Sequence, residues 1–330
     1  MNVSNPCSPH GAQRNAGSAP DFASLHPGYL FPENSVQFSG LHLASSARYG
    51  CPSHVRASNR MADDDLPVDE VGIWALEKHE RLRKYISASR GARRKYLPPV
   101  GTGGATYIDL YCGSGKAVIR DTGQEIDGSP LVAFKCARDG NARFSEIHIG
   151  DADAAKRSSA AKRIRALGSV AIEHEGPAER AIASVANHLN PSGLHFAFLD
   201  PFSLQDLPFS VIRELSRFQR MDMLIHVSAQ DLQRNLHSYV KNGDERLETF
   251  APGWRKIVST TQSQQAIRAG LMNHWLSSIR ALGVSPAEGI ELVSGERNQR
   301  LYWLVFVSRS DFATGLWEDI RQVSGQAKLL

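Results

Sequence analysis

Short apolar runs alternate with longer amphipathic stretches over most of the chain. The runs have the length and composition of buried strands, at 106–110, 146–149, 170–172, 195–199 and 221–227. Apolar residues recur at helical spacing in the stretches between them, at 154–167, 179–189 and 209–218. Strands joined by helical crossovers form parallel sheets covered on both faces, so the pattern predicts an α/β, Rossmann-like core.

The pattern also divides the chain. We expect a disordered extension over 1–62, an amphipathic N-terminal helix over 70–98, the Rossmann-like core over 100–229, a helical insertion over 230–285, and strands and a helix that complete the core over 286–330. The last region contains a hairpin-like pair, 290–293 and 301–307, which predicts an antiparallel C-terminal strand. Met61 precedes the first helical pattern, which suggests the hypothesis that translation begins there.

Two local signals lie at helix ends. Ser129 followed by Pro130 predicts a helix start, with Ser129 as the N-cap. The helical pattern ends near Gly91, and the basic run Arg93-Arg94-Lys95 follows it. Such a run could contact phosphate, although a short basic run is more often a solvated helix end.

Composition narrows the class of protein. The 330 residues are 42% hydrophobic and 22% charged, which is typical of a soluble globular protein. No window offers the roughly 20 apolar residues of a membrane span, and the start lacks a secretory signal, so we expect a cytoplasmic protein without membrane contact. The cysteines at 7, 51, 112 and 136 are too scattered for a zinc site or disulfide framework, and no metal site is expected.

The sharpest motif is Asp109-Leu-Tyr-Cys-Gly-Ser-Gly115, at the end of the first core strand. Glycines at this spacing let the backbone approach a ligand, although tight turns after a strand also use them for structure alone. The third glycine of a dinucleotide fingerprint is absent because residue 118 is Val, and Asp109 precedes the loop. This favours a ligand with a positive charge over a pyrophosphate.

Acidic residues end the next two strands. Asp151 could accept the ribose hydroxyls of a nucleoside cofactor, or it could merely cap the following helix, and Asp153 is the better candidate for the cap. Glu173 and Glu175 could reach an adenine edge.

The fourth core strand runs into Asp200-Pro201-Phe202, where strand order should reverse. A carboxylate and backbone carbonyls could hold an amine nucleophile, and the Phe202 ring could stack on it. The plainer alternative is an Asp-Pro turn after a buried strand.

The insertion mixes basic and aromatic residues that could form a nucleic-acid surface, or the solvated face and core of helices: Arg234, His237, Tyr239, Lys241, Arg246, Trp254, Arg255 and Lys256. The net charge of +4 permits a nucleic-acid substrate without arguing for one. His226 and His237 could act as acid or base, but His226 lies inside a strand and is interpreted as structural.

Together these motifs, with Gly128-Ser-Pro130, Asp222-Met-Leu-Ile225 and 301–308, resemble the three-Cys-motif partner (TcmP) family over residues 70–325. The resemblance implies a class I methyltransferase fold that binds S-adenosylmethionine (SAM), a gene neighbourhood of phage defence or mobile elements, and a three-Cys-motif, radical-SAM-like partner. It places Asp109, Tyr111, Gly113, Gly115 and Asp151 at the cofactor, and Asp200, Pro201 and Phe202 at the substrate. Methyltransferases acting on exocyclic amines usually have two prolines in the last motif, and this chain has one.

Two functions therefore stay open. The first is a SAM-dependent methyltransferase acting on a nucleic acid or nucleotide, in which the protein aligns nucleophile and methyl group. The second is a non-catalytic or regulatory partner of a three-Cys-motif protein.

Overall fold

The computed structural model describes residues 60–241, 244–288, 290–294 and 300–326. The expectation of disorder over 1–62 falls outside this part of the chain except at 60–62, as do the cysteines at positions 7 and 51. No helix in the described ranges is long and apolar enough to cross a membrane.

The strands in these ranges begin with a short one that the apolar pattern does not predict. In chain order they are β1 (Asp69–Val71), β2 (Ala105–Asp109), β3 (Lys116–Ile119), β4 (Glu125–Asp127), β5 (Glu146–Asp151), β6 (Ala171–Glu175), β7 (Leu194–Leu199), β8 (Met221–Val227), β9 (Ser285–Pro286), β10 (Glu291–Ser294) and β11 (Arg300–Ser308).

Helices occupy most of the chain between these strands. They are α1 (Trp74–Ala88), α2 (Arg90–Arg94), α3 (Ser129–Asp139), α4 (Ala154–Ala166), α5 (Ala178–His188), α6 (Phe209–Leu215), α7 (Ala229–Tyr239), α8 (Arg246–Phe250), α9 (Gln264–Ala281) and α10 (Asp311–Gln326). Short 3₁₀ turns lie at Leu204–Asp206 and Trp254–Lys256. The predicted insertion thus consists, where described, of α7, α8, a 3₁₀ turn and α9.

The main sheet has the order β10-β11-β8-β7-β2-β5-β6, with β9 paired to β11. The pairs from β8 to β6 are parallel, and β11 is antiparallel to both β8 and β10. If its seven ordered strands are numbered along the chain, the sheet reads 6-7-5-4-1-2-3. The predicted Rossmann-like fold of the class I methyltransferase type, with an antiparallel C-terminal strand, is confirmed.

Strand order reverses beside β2. The chain moves from β2 outward to β5 and β6, then returns to place β7 against the other side of β2. Because successive crossovers leave in opposite directions, a crevice opens between the carboxyl ends of β2 and β7. The glycine loop, residues 110–115, follows β2. The Asp200 loop, Asp200-Pro201-Phe202, follows β7.

The core explains why the long strands were predictable. Every residue of β2 and β8 is buried. On one face of the sheet, the Tyr85 ring of α1 packs 4.8 Å from both Phe196 and Phe306, and Trp317 of α10 stacks on Phe306 at 5.5 Å. Apolar runs with this degree of burial carry a strong sequence signal.

A second, three-stranded sheet was missed, in the order β1-β3-β4. β1 is parallel to β3, and β3 and β4 form an antiparallel hairpin that follows the glycine loop directly. Its strands are only three or four residues long; β1 and β4 are partly exposed and mostly polar, and the buried run of β3 is just three residues, at 117–119. The available signal was the turn at Gly123, whose φ is +71°.

The predicted N-cap of α3 was wrong by one residue. Gly128 is the cap, and Ser129 is the first helical residue. The Ser129 hydroxyl makes no capping bond because it donates to the buried carboxyl group of Asp109, 2.6 Å away.

Candidate functional site

The loop after β2 can be built only with glycine at two positions. Gly113 and Gly115 have φ angles of +54° and +85°. A Cβ atom at Gly113 would lie 2.5 Å from Oδ2 of Asp69, and one at Gly115 would lie 3.0 Å from Cα of Ala160. The loop is therefore held tightly against β1 and α4, and a side chain at either position would disturb it.

Asp109, the last residue of β2, holds this loop in place through its side chain. Its carboxyl group is fully buried and accepts hydrogen bonds from the Ser129 hydroxyl at 2.6 Å, the Tyr107 hydroxyl at 3.1 Å and the Tyr111 backbone N–H at 3.2 Å. Burial raises the pKa of Asp109 to about 7, although these donors oppose the shift. The residue joins the loop to α3, and its side chain has no surface open to a ligand.

Asp151 contacts the loop from the end of β5. Its Oδ2 accepts the Gly113 N–H at 3.0 Å and its Oδ1 accepts the Asp153 N–H at 2.9 Å. The side chain is half-buried, and burial raises its pKa. A carboxylate has about four acceptor positions, so two remain for a hydroxylated ligand.

Asp153 caps α4, as the sequence predicts. Its Oδ1 accepts the N–H groups of Ala155 at 2.9 Å and Lys156 at 3.3 Å. Of this acidic pair, Asp153 is therefore the cap, and Asp151 is the one that contacts the glycine loop.

Sequence reasoning missed Asp69, which β1 brings to the same loop. Its Oδ2 accepts the Ser114 N–H at 2.6 Å, and its Oδ1 lies 2.7 Å from the Lys156 ammonium. The segment before it is fastened by Arg163, which pairs with Asp64 and donates to the Ser114 carbonyl at 2.6 Å. No apolar periodicity marks this segment, so only the acids themselves could have indicated it.

Asp200 follows the carboxyl end of β7 and forms a partly buried ion pair. Lys78 of α1 donates to both its oxygens, at 2.7 and 2.6 Å, and Nδ1 of His226 lies 3.3 Å from Oδ1. Burial raises the pKa of Asp200, but the charge and hydrogen bond of Lys78, together with the electrostatic effect of His226 and His79, outweigh burial and hold the pKa below its usual value. Asp200 is thus an ionised acceptor at neutral pH.

Lys78 is a further functional candidate that the pattern did not single out, and it lies with His226, which the sequence analysis interpreted as structural. The Lys78 ammonium lies 5.6 Å from the centre of the Tyr302 ring, and the His226 ring lies 4.6 Å from the same ring. Burial lowers the pKa of His226 to about 4, so its imidazole is neutral at pH 7. Pro201, the next residue after Asp200, is buried, whereas Phe202 is 85% exposed.

Tyr111 joins the two halves of the crevice. Its hydroxyl donates to the Asp206 carbonyl at 2.6 Å, in the 3₁₀ turn that follows Phe202. That turn is held in place by Asp231 of α7, whose Oδ2 accepts the Leu204 N–H at 2.9 Å. The glycine loop and the Asp200 loop therefore form one connected surface.

Other predicted residues lie elsewhere or are used internally. Glu173 is 3.0 Å from Arg165 in an ion pair, and Glu175 is exposed. In the insertion, Trp254 and Tyr239 are buried, while Arg255 donates to backbone carbonyls of residues 240, 241 and 244. These side chains fit the plainer interpretation, in which they form helix core and solvated face.

Comparison with known proteins adds little to this geometry. No protein-family model matches the chain, and no curated protein matches it in sequence. Among solved structures it is similar to protein LPL1258 of Legionella pneumophila (10% identity, 74% of this chain and 91% of that chain, TM-score 0.44). It is also similar to the DszA carbon methyltransferase (10% identity, 72% of this chain, TM-score 0.44) and spans 55% of that protein's length.

A SAM-dependent methyltransferase of Clostridium acetobutylicum is also similar, at 10% identity over 69% of this chain and 91% of that chain, with a TM-score of 0.32. Similarity at this level says nothing about what the chain binds or catalyses. The resemblance to three-Cys-motif partner proteins stays a prediction.

Proposed function

We propose that the chain is a SAM-dependent methyltransferase that acts on a nucleic acid or nucleotide. The observation that carries the proposal is the position of two loops at the strand-order reversal. The glycine loop and Asp200-Pro201-Phe202 leave the carboxyl ends of neighbouring strands, and the Tyr111 hydroxyl links them. In sheets of this topology, ligands bind at that place.

The residues of the glycine loop suit a nucleoside cofactor. Gly113 and Gly115 allow a tight turn after the strand, and Asp151, which accepts the Gly113 N–H, keeps acceptor positions for ribose hydroxyls. Asp109 acts as a positioning residue, because its oxygens hold Tyr111 and Ser129. SAM supplies a methyl group already activated by its sulfonium, so the protein's task is alignment and proton removal.

The Asp200 loop supplies groups for a nucleobase acceptor. Asp200 stays ionised at neutral pH and, beyond its bonds to Lys78, has lone pairs for an N–H donor. Phe202 exposes a ring on which a base could stack, and such stacking is typical of proteins that bind single strands. In this proposal Asp200 and the Pro201 carbonyl hold the acceptor nitrogen, and Phe202 holds its ring.

One observation favours the alternative of a non-catalytic partner of a three-Cys-motif protein. Lys78 engages both oxygens of Asp200, as expected in a chain that keeps the fold without transferring a methyl group. A role in phage defence, which the resemblance implies, and a cytoplasmic location, which the absence of an apolar span and a secretory signal in the sequence suggests, remain predictions.

Calorimetry with SAM and S-adenosylhomocysteine tests the proposal first, because absence of binding by both would contradict it. Methyl transfer from labelled SAM to DNA, RNA and a three-Cys-motif partner is then measured for the wild type and Asp200→Ala. We expect transfer to fall at least about 100-fold in the variant, the usual contribution of a group that moves a proton. Equal activity in both proteins would remove Asp200 from the acceptor site, and SAM binding without transfer would favour the alternative.

A further inference from the structure

A cavity of about 680 Å³ lies at the opposite edge of the sheet from the glycine loop. Leu194 and His195 at the start of β7, and Met221 and Asp222 at the start of β8, line its floor. These are the amino ends of the strands, whereas the loops proposed to bind SAM follow the carboxyl ends. The volume lies within the range of small-molecule sites.

The lining of this cavity is strongly basic. Arg93, Lys95, Arg220 and Arg309 contribute to it, and no salt bridge involves any of them in the described part of the chain. Asp222 is the one acidic residue of the described lining.

Asp222 does not neutralise these cations. Its two oxygens accept the Tyr85 hydroxyl at 2.7 Å and the Ser308 hydroxyl at 2.6 Å. Burial raises its pKa, which further disfavours the charged carboxylate. The cavity therefore carries an excess of positive charge.

Arg93 stacks on the Phe144 ring at 4.9 Å but keeps one buried donor without a partner in the described part of the chain. The Arg93 side chain is only 2% exposed. Its Nε donates to the Ala142 carbonyl at 3.0 Å and its Nη1 to the Ser89 hydroxyl at 2.8 Å. Its buried Nη2 has no hydrogen-bond partner among the described residues. Burial lowers its pKa to about 10, so it stays charged at neutral pH. A buried cation without a counter-ion is costly, and an anionic ligand would offset that cost.

Aromatic rings stand beside the cations. The Arg220 guanidinium lies 5.7 Å from the centre of the Tyr96 ring, and Phe312 at the start of α10 is 64% exposed although it lines the cavity. Guanidinium groups bind phosphate, and exposed rings stack on bases. One ligand class combines both features, a base joined to a phosphate.

We propose that this cavity is a second binding site, which takes a nucleotide either free or as part of a single strand. Its phosphate would lie against Arg93, Lys95 and Arg220, and its base against Tyr96 and Phe312. The sequence had marked Arg93-Arg94-Lys95 as a possible phosphate contact, and the fold carries Arg93 and Lys95 into the lining while Arg94 donates to the Gly140 and Asn141 carbonyls.

Binding is measured by calorimetry on the full chain with GMP, a five-residue single-stranded RNA and inorganic pyrophosphate. S-adenosylhomocysteine is present in excess to keep nucleotides out of the glycine-loop site, and a Gly115→Val chain serves the same purpose if no SAM analogue binds. We expect saturable GMP or RNA binding that Lys95→Ala and Arg220→Ala together weaken about tenfold or more, as loss of charge-assisted hydrogen bonds predicts. GMP binding equal to RNA binding identifies a free nucleotide, and binding of RNA alone identifies a strand.

Matched variants separate the two halves of the ligand. Phe312→Ala should weaken GMP binding but leave pyrophosphate binding unchanged. Arg217→Ala removes an exposed arginine that pairs with Glu214 outside the cavity, and it should leave both unchanged. Pyrophosphate that binds as well as GMP would overturn the nucleotide assignment, and no saturable binding of any probe would overturn the site. Neither result bears on SAM binding at the other edge.

Discussion

At the carboxyl edge of the main sheet, each acid of the crevice has a partner. At the amino edge, the cations of the cavity form no ion pair with a carboxylate in the described part of the chain. Asp200 is paired with Lys78, Asp69 with Lys156, and Asp151 with backbone N–H groups. Across the sheet, Arg93 and Arg220 form no ion pair in the described ranges. The same fold thus presents one edge with balanced charge and one with a cationic excess.

This difference suggests what each edge can accept. A crevice whose acids already have partners can accept a ligand that carries both positive and negative groups. SAM is such a ligand, with its sulfonium, amino and carboxylate groups. The amino edge can gain electrostatic energy only from an anion. Four expected results test the contrast.

Breaking the pair at the carboxyl edge should have the largest effect. Lys78→Met leaves the Asp200 carboxylate buried without its cation, and loss of one partner of a buried pair costs about 3 kcal/mol or more of unfolding free energy. Urea unfolding measures this loss. Adding Asp200→Leu should recover much of the stability, since it removes the stranded charge.

If Lys78→Met and the double variant were equally stable, the pair would not be the balanced element described. Lys84→Met is the control, because Lys84 lies on the same helix, 3.8 Å from the Glu80 carboxylate in a more exposed pair. Such pairs contribute about 0.5 kcal/mol.

The glycine loop should respond next. Gly115→Ala places a Cβ at φ +85° and 3.0 Å from Ala160 Cα, so the backbone must shift. Strain of about 1–2 kcal/mol in the loop proposed to hold SAM predicts SAM binding weaker by about tenfold or more. Calorimetry gives the dissociation constant.

Gly91→Ala is the matched control, because it lies in α2 with nothing within 4 Å of the new Cβ. It should leave SAM binding unchanged. Unchanged binding in Gly115→Ala as well would remove the loop from the cofactor site.

These two tests also separate what the sequence could reveal from what it could not. The strands β2, β5, β7 and β8 were predictable because their buried apolar runs leave a local signal. The positions of Gly113, Gly115 and Asp200 at the strand reversal follow from that alternation. Local sequence patterns therefore predict the main strands and the place of these two loops in the fold.

Contacts between distant residues were not predictable. Lys78 and Asp200 are 122 positions apart, and Asp69 reaches the glycine loop from a strand of three residues. His226 was interpreted as structural because it lies within β8, yet its ring faces Asp200. Nothing in one sequence records which helix packs over which strand end.

A smaller, pH-dependent effect should distinguish Asp109 from the balanced acids around it. Its folded pKa of about 7 lies above the ordinary value of 3.8, so the native state holds a proton that the unfolded state has lost. Its stabilising contribution is complete below the ordinary value and is lost as pH rises through about 7. The wild type should therefore lose about 1 kcal/mol relative to Asp109→Asn between pH 6.5 and 8.

Urea unfolding of both proteins over that range measures the difference. Subtraction removes the contribution of buried histidines such as His79, whose pKa is lowered to about 4 by burial and whose effect runs in the opposite direction. A difference that stays flat with pH would mean that Asp109 is charged throughout.

The smallest expected effect concerns the lone acid of the amino edge. Asp222→Asn removes the carboxylate charge from the cationic cavity while keeping an acceptor for the Tyr85 hydroxyl. GMP binding should tighten about threefold at pH 8, a change of about 0.6 kcal/mol. Asp121→Asn makes the same charge change in the exposed turn between β3 and β4 and should alter binding little.

Because burial raises the pKa of Asp222, the gain in GMP binding should shrink as pH falls and the wild-type carboxyl group becomes protonated. Weaker binding in Asp222→Asn would mean that this carboxyl group contacts the ligand, and that the amino edge recognises more than negative charge.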